Sequence, residues 1–187
     1  SPYHRPMPSD PASLSLQIYP KDVLRRKAAP IDPTSAEVRK VAERMIDMMY
    51  DEEGIGLAAP QVGLPWRLFV ADVPENDERS ATGTPPSATS DVVVYCNPVL
   101  SAPVGAPVAA EEGCLSLPDI RGDVLRPPTI TITYQDLHGK TITQTGTGLL
   151  ARCWQHEIDH LVLIIDKMTW ASRLRTKTLV RALERGG

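Results

Sequence analysis

No stretch of the 187 residues approaches the roughly 20 consecutive apolar positions needed to cross a bilayer, so the sequence predicts no membrane span. The opening residues, SPYHRPMPSDPASLSL, are proline-rich and hold no apolar signal core, and secretion is not expected. Charge is neither one-sided nor clustered. The net charge of −3 and the scattered basic residues leave no electrostatic footprint for direct nucleic-acid recognition. Cysteine is scarce. Cys96, Cys114 and Cys153 cannot all pair with one another, and they suit a reducing compartment in which a cysteine is a core residue or a ligand. Bacterial cytoplasm is the expected location. An organelle is the alternative, although the first residues are neither Arg-rich nor amphipathic in the manner of a transit peptide. Histidine is scarcer still in relation to its use: of four in the chain, two stand four residues apart.

What is present suits one ordinary globular domain, with 42% hydrophobic and 23% charged residues. Residues 1–12 read as a mobile arm and 13–187 as a single catalytic domain. AEVRKVAERMIDMMYDEE (36–53) places Val38, Val41, Met45, Met48 and Met49 at helical spacing, with Gly54 as the stop. WRLFVADV (66–73) and DVVVYCNPVL (91–100) read as strands, and 129–146 reads as a hairpin turning at His138-Gly139. The polar stretch 74–90 reads as a flexible surface loop. GLLARCWQHEIDHLVL then returns to helical period, and a basic amphipathic helix is expected over 171–187. Helix, antiparallel strands, then helix is an α+β order, with the sheets packed around a central helix that carries the histidines.

In RCWQHEIDHLVL, His156 and His160 lie about 400° apart around a helix, so both imidazoles face one way and can grip one cation. Glu157 beside them can take a proton from water. Solvated helical faces produce the same five residues by chance. The flanking Leu149, Leu150, Cys153, Ile158 and Leu161 argue for burial, however, and a buried His-Glu-x-x-His needs a cation to satisfy it. A third ligand is required. Glu184 lies downstream in an Arg-rich segment, whereas Cys114 lies upstream in EEGCLSLPDIRG, beside Gly113 and a loop; a cysteine beside glycine is also often structural. GIGLAAPQVG (54–63) fits G-x-G-x-x-A, but a helix precedes it and Pro60 forbids the helix that should cradle a pyrophosphate. It reads either as a helix-to-strand connection or as a small-residue track along which a peptide backbone lies, with Gln61 as a donor.

Together, Gly54-Ile55-Gly56-Leu57-Ala58-Ala59-Pro60-Gln61, Glu112-Gly113-Cys114-Leu115-Ser116 and Gln155-His156-Glu157-Ile158-Asp159-His160 resemble, in order, the three motifs of the peptide deformylases. The resemblance runs from about residue 19 to residue 168. It implies a metallohydrolase that removes the formyl group from the N-terminal formylmethionine of nascent polypeptides, releasing formate. It implies one divalent metal per chain, natively Fe²⁺, with Ni²⁺, Co²⁺ or Zn²⁺ in purified protein. By matching position, Cys114, His156 and His160 would be the ligands, Glu157 the general base and then acid, and Gln61 with the backbone N–H of Leu115 the oxyanion donors. Ile55, Gly56 and Gly113 would bind the peptide backbone. Ile55, Cys153, Ile158 and Arg121 would form the methionine pocket. Arg126 matches a family arginine, and we expect it to pair with Asp159 as structural support. A thiolate with two imidazoles suits a transition metal and leaves it acidic enough to activate water.

Two readings compete with this one. A general metallopeptidase would use Glu184 as its third ligand. A metal-stabilised binding module would need neither Glu157 nor Gln61. The chain departs from the family after His160, where HLVLIIDKM lacks two residues, one a glycine, that usually precede the apolar stretch. Expected partners are N-formylmethionyl peptides and, transiently, the ribosome through 171–187.

Overall fold

The first long element is helix α1, Ala36–Asp51, and its five predicted apolar positions are all buried. The Ser35 hydroxyl caps it by accepting the Val38 amide at 3.1 Å. The helix ends one residue earlier than its glycine suggests. Glu53 takes the left-handed conformation (φ +55°), its amide donates to the Tyr50 carbonyl, and the Gly54 amide reaches back to that of Met49. This is a Schellman closure with Gly54 just beyond the left-handed position. The coordinates come from a computed structural model that describes residues 10–19 and 21–160. Most of the expected arm, the basic helix at 171–187, Glu184 and the stretch after Val162 lie outside the described residues.

Strands β1 (Gly56–Ala58), β2 (Leu68–Ala71), β3 (Val93–Val104), β6 (Thr129–Gln135) and β7 (Thr141–Thr147) form an antiparallel sheet in the order β1-β2-β3-β6-β7. Strands β4 (Val108–Cys114) and β5 (Leu117–Arg126) pair separately as a hairpin. Helix α2, Gly148–Asp159, carries the histidine motif.

Strand alternation divides the core in two. Leu57, Leu68, Val70 and Cys96 face α1, together with Val41, Met45 and Met49. Ala58, Phe69, Ala71, Tyr95, Ile130 and Ile132 point to the other face, where Leu150, Ala151, Cys153 and Trp154 of α2 cover them. Beyond the reach of α1 the same face of β6 and β7 carries threonine pairs, Thr129–Thr147, Thr131–Thr145 and Thr133–Thr143, at 2.7–3.0 Å. The fold is α+β, with sheets around the motif-bearing helix, as expected.

Two expectations change. The stretch 111–122, where a loop was expected beside Cys114, is mostly the β4–β5 hairpin. The polar segment 74–90 is held in place rather than freely solvated. The Ser87 and Thr89 amides donate to the Ser80 and Val73 carbonyls, and the Pro86 carbonyl accepts from Thr147 at 2.9 Å. Ala88 from the same segment is buried in the α2-side core. Backbone groups supply these bonds, so side-chain composition gave no sign of them.

Candidate metal centre and active site

Two separate backbones deliver the donors. On α2, His156 and His160 lie one turn apart with ring centroids 4.7 Å from each other. On β4, the register jumps from Gly113↔Arg121 to Cys114↔Leu117, a bulge that closes the hairpin and presents the Cys114 thiol to the helix. Cys114 Sγ is 3.5 Å from His160 Nε2, and one donor atom from each of Cys114, His156 and His160 lies within 4.8 Å of the others. Burial pushes the His160 imidazole well below its ordinary pKa, so it stays neutral with one nitrogen lone pair to donate. A thiolate and two imidazoles at this spacing fit a transition metal.

Glu112, two residues before Cys114 and on the same face of β4, organises the surroundings. Its Oε2 accepts from His156 Nδ1 at 2.8 Å and from Arg126 Nη2 at 2.9 Å. Its Oε1 accepts from Arg126 Nε and Arg152 Nη1, both at 2.7 Å. Because a carboxylate only accepts, His156 carries a proton on Nδ1, and a neutral ring held this way offers Nε2 to a cation. Burial works against the Glu112 charge, but the bonds from Arg126 and His156 outweigh it and hold the carboxyl well below its usual range. Arg126 also pairs with Asp159 at 2.6 Å, as expected for it. Sequence reasoning named Glu112 without a role and missed Arg152. The i, i+2 relation of Glu112 to Cys114, and the i, i+4 relation of Arg152 to His156, were the available signals.

Glu157 is buried, and its Oε2 has no hydrogen-bond partner among the described residues. Burial first, with Glu112 adding, raises its pKa to about 7 against the pull of His156 and Arg126. The carboxyl lies against β1: a Cβ built on Gly56 would come within 2.5 Å of Glu157 Oε1. Gln61 follows β1 in a single 3₁₀ turn, Ala59–Val62, and is 1% exposed. Its Oε1 accepts the Ala58 amide at 2.8 Å, which points Nε2 at Ser116 Oγ (3.4 Å) and Cys114 Sγ (3.7 Å). Leu115 comes directly after Cys114 in the hairpin turn. The N-terminal segment laces both sides, with the Gln17 amide on the Gln61 carbonyl and the Tyr19 amide on that of Ser116.

A cavity of about 750 Å³ opens onto these groups, lined by Ile55, Gly56, Gly113, Leu117, Leu149 and Cys153. Arg121 lies at it too, exposed and paired with Glu111 at 2.6 Å. Ile158 does not line it. Cys153 and Glu157 share one helix face, and Ile158, turned about 100° further round, packs on the α2-side core that Ile55, Leu149 and Cys153 also join. The Ile55 carbonyl accepts the Asp72 amide at 2.9 Å, so it faces β2. Alternation then turns the backbone groups of Gly56 to the open edge of the sheet.

The model of the polypeptide deformylase family matches residues 14–173. The chain belongs to that family. It is 46% identical over 149 residues to peptide deformylase 2 of Gloeobacter violaceus, covering 78% of this chain and 74% of that one. To the peptide deformylase of Rhizobium meliloti it is 40% identical, covering 89% of each. Among solved structures, the peptide deformylase of Ehrlichia chaffeensis superposes with a TM-score of 0.81 at 30% identity, covering 92% of this chain and 97% of that one. That of Synechococcus elongatus, solved in complex with actinonin, gives 0.78 at 34% identity, with 94% and 90% covered. The chain is accordingly a metal-dependent hydrolase that removes the formyl group from nascent polypeptides, and Cys114, His156 and His160 form its candidate metal site. No helix among the described residues is long and apolar enough to cross a membrane.

Proposed function

We propose that Cys114, His156 and His160 hold the metal of this deformylase, that Glu157 moves the protons, and that Gln61 with the Leu115 amide receives the developing oxyanion. The observation that carries this reading is the buried Glu157 Oε2, without a partner among the described residues, on a side chain that lines the same cavity as Cys114 and His156. A structural site would have no use for it. A divalent cation held by these donors supplies Lewis acidity and makes water a nucleophile at neutral pH. Glu157, with a pKa of about 7, takes a proton from the attacking water and returns it to the leaving amine nitrogen. Gln61 Nε2, aimed by the Ala58 amide, needs no reorientation when charge develops on the formyl oxygen.

The substrate backbone lies along the open edge of β1, with Gly56 rather than the Ile55 carbonyl making the bonds there and Gly113 forming the opposite wall. Ile55, Leu149 and Cys153 give the methionine side chain an apolar seat. Arg121 acts at the cavity rim and Ile158 only as packing. The family resemblance points to Fe²⁺ as the native ion, while the donor set itself accepts Ni²⁺, Co²⁺ or Zn²⁺ as well. The bacterial relatives support a bacterial cytoplasm as the place of work. A transient ribosome contact through 171–187 would be lost from co-sedimentation when that segment is deleted; unchanged co-sedimentation would end that idea.

Formate release from formyl-Met-Ala-Ser by anaerobically purified, iron- or nickel-loaded protein tests the whole assignment. Glu157→Ala should lose about 10²–10⁴-fold or more in kcat. A fully loaded, folded parent without activity would refute it.

A further inference from the structure

The metal donors sit on two parts of the fold that share no strand pairing. Cys114 belongs to the two-stranded sheet, and both histidines belong to α2, which packs on the five-stranded one. Arg152 spans that division. It lies four residues before His156 on the same face of α2, and its guanidinium donates to three groups of the hairpin. These are the Val108 carbonyl on β4 at 2.9 Å, the Val124 carbonyl on β5 at 3.1 Å, and Glu112 Oε1 at 2.7 Å. Its stem also lines the cavity.

Charge balance alone does not account for this residue. Arg126 already donates to both oxygens of Glu112 and continues to Asp159. Arg152 adds bonds to the main chain of each hairpin strand, made by two nitrogens of one rigid fork. Helix, both strands and the carboxylate that orients His156 are thereby tied at one point.

We infer that Arg152 is a positioning residue: it sets the separation between the hairpin carrying Cys114 and the helix carrying His156 and His160, and so governs how firmly the three donors retain a cation. The inference rests on the assignment of those three as metal donors. It differs from a purely electrostatic role because the planar fork, and not merely its charge, is what reaches both strands.

The test uses the full-length protein loaded with Co²⁺, whose thiolate-to-cobalt absorption band reports cysteine ligation, challenged with excess EDTA. Arg152→Met should show the band at first and then lose cobalt about 10–100-fold faster than the parent, the range found when groups supporting metal ligands are removed. Arg152→Lys keeps the charge and should recover only part of that retention. A folded Arg152→Met with parental cobalt loss would overturn the inference. Full recovery by lysine would also overturn it, in favour of charge alone, and this variant decides the matter even where the methionine variant does not fold. Absence of the band in the parent, or its persistence in Cys114→Ser, would instead refute the donor assignment.

Discussion

Replacing Gly56 by alanine adds one methyl group where the fold has no room for it. The new Cβ would lie 2.5 Å from Glu157 Oε1, 2.9 Å from its Cδ and 3.0 Å from its Cγ. Ordinary contact needs about 3.5 Å, so the carboxyl must retreat by roughly 1 Å or β1 must move outward by as much. Glu157 is buried on α2 and Gly56 is paired with Ala71, so neither shift is free. Overpacking of this kind costs about 1–3 kcal/mol, which lowers Tm by a few to about 10 °C in a domain of this size. The larger effect falls on catalysis. A base displaced by about 1 Å from its working position loses roughly 10²-fold in rate. Steady-state formate release with kcat and KM separated is the assay, beside a melt of the same preparation. KM should rise as well, because the backbone of Gly56 faces the open edge. A Gly56→Ala protein that keeps kcat within a few fold, at unchanged Tm, would show that Glu157 does not work from the place described.

Glu112→Ala leaves Arg126 and Arg152 facing each other without their shared carboxylate, and should cost about 3–5 kcal/mol in urea denaturation. The folded-state pKa of Glu112 is depressed, so its stabilisation is present above the unfolded value of 4.5 and declines as pH falls toward the folded one. Glu112→Gln should therefore flatten the loss of stability below about pH 4.5, and an unchanged profile would remove Glu112 from the account. Burial pushes the Cys96 thiol up to about 12 and that of Cys153 well above its ordinary value. In chelator-treated native protein at pH 8, a disulfide reagent should find one fast thiol, absent in Cys114→Ser, and all three only after denaturation. Two fast thiols in the native protein would contradict the burial described.

Much of the site was legible before any coordinates, because short-range periodicity determines it. A four-residue spacing on a helix brings His156 and His160 together in any fold that keeps the helix, and the five apolar positions of α1 require a buried face in the same way. Motif order then pointed to Cys114 and Gln61. Ile158 shows the limit of matching by motif position: the resemblance gave it to the methionine pocket, and only the structure shows that it packs on the α2-side core. The backbone bonds from segment 74–90 to Val73 and Thr147 were not legible either, because periodicity does not report which carbonyl an amide of an irregular segment will meet.

The sequence by itself determined which side chains could bind a metal and move a proton, together with the local geometry of the two helices and of the hairpin at 129–146. Only the tertiary structure decided the contacts between distant segments. Glu112 receives His156 and Arg152 across 44 and 40 residues, and Gly56 has no room for a Cβ only because α2 lies against β1. Such contacts depend on how sheets and helices stack, and residue spacing carries no record of that distance.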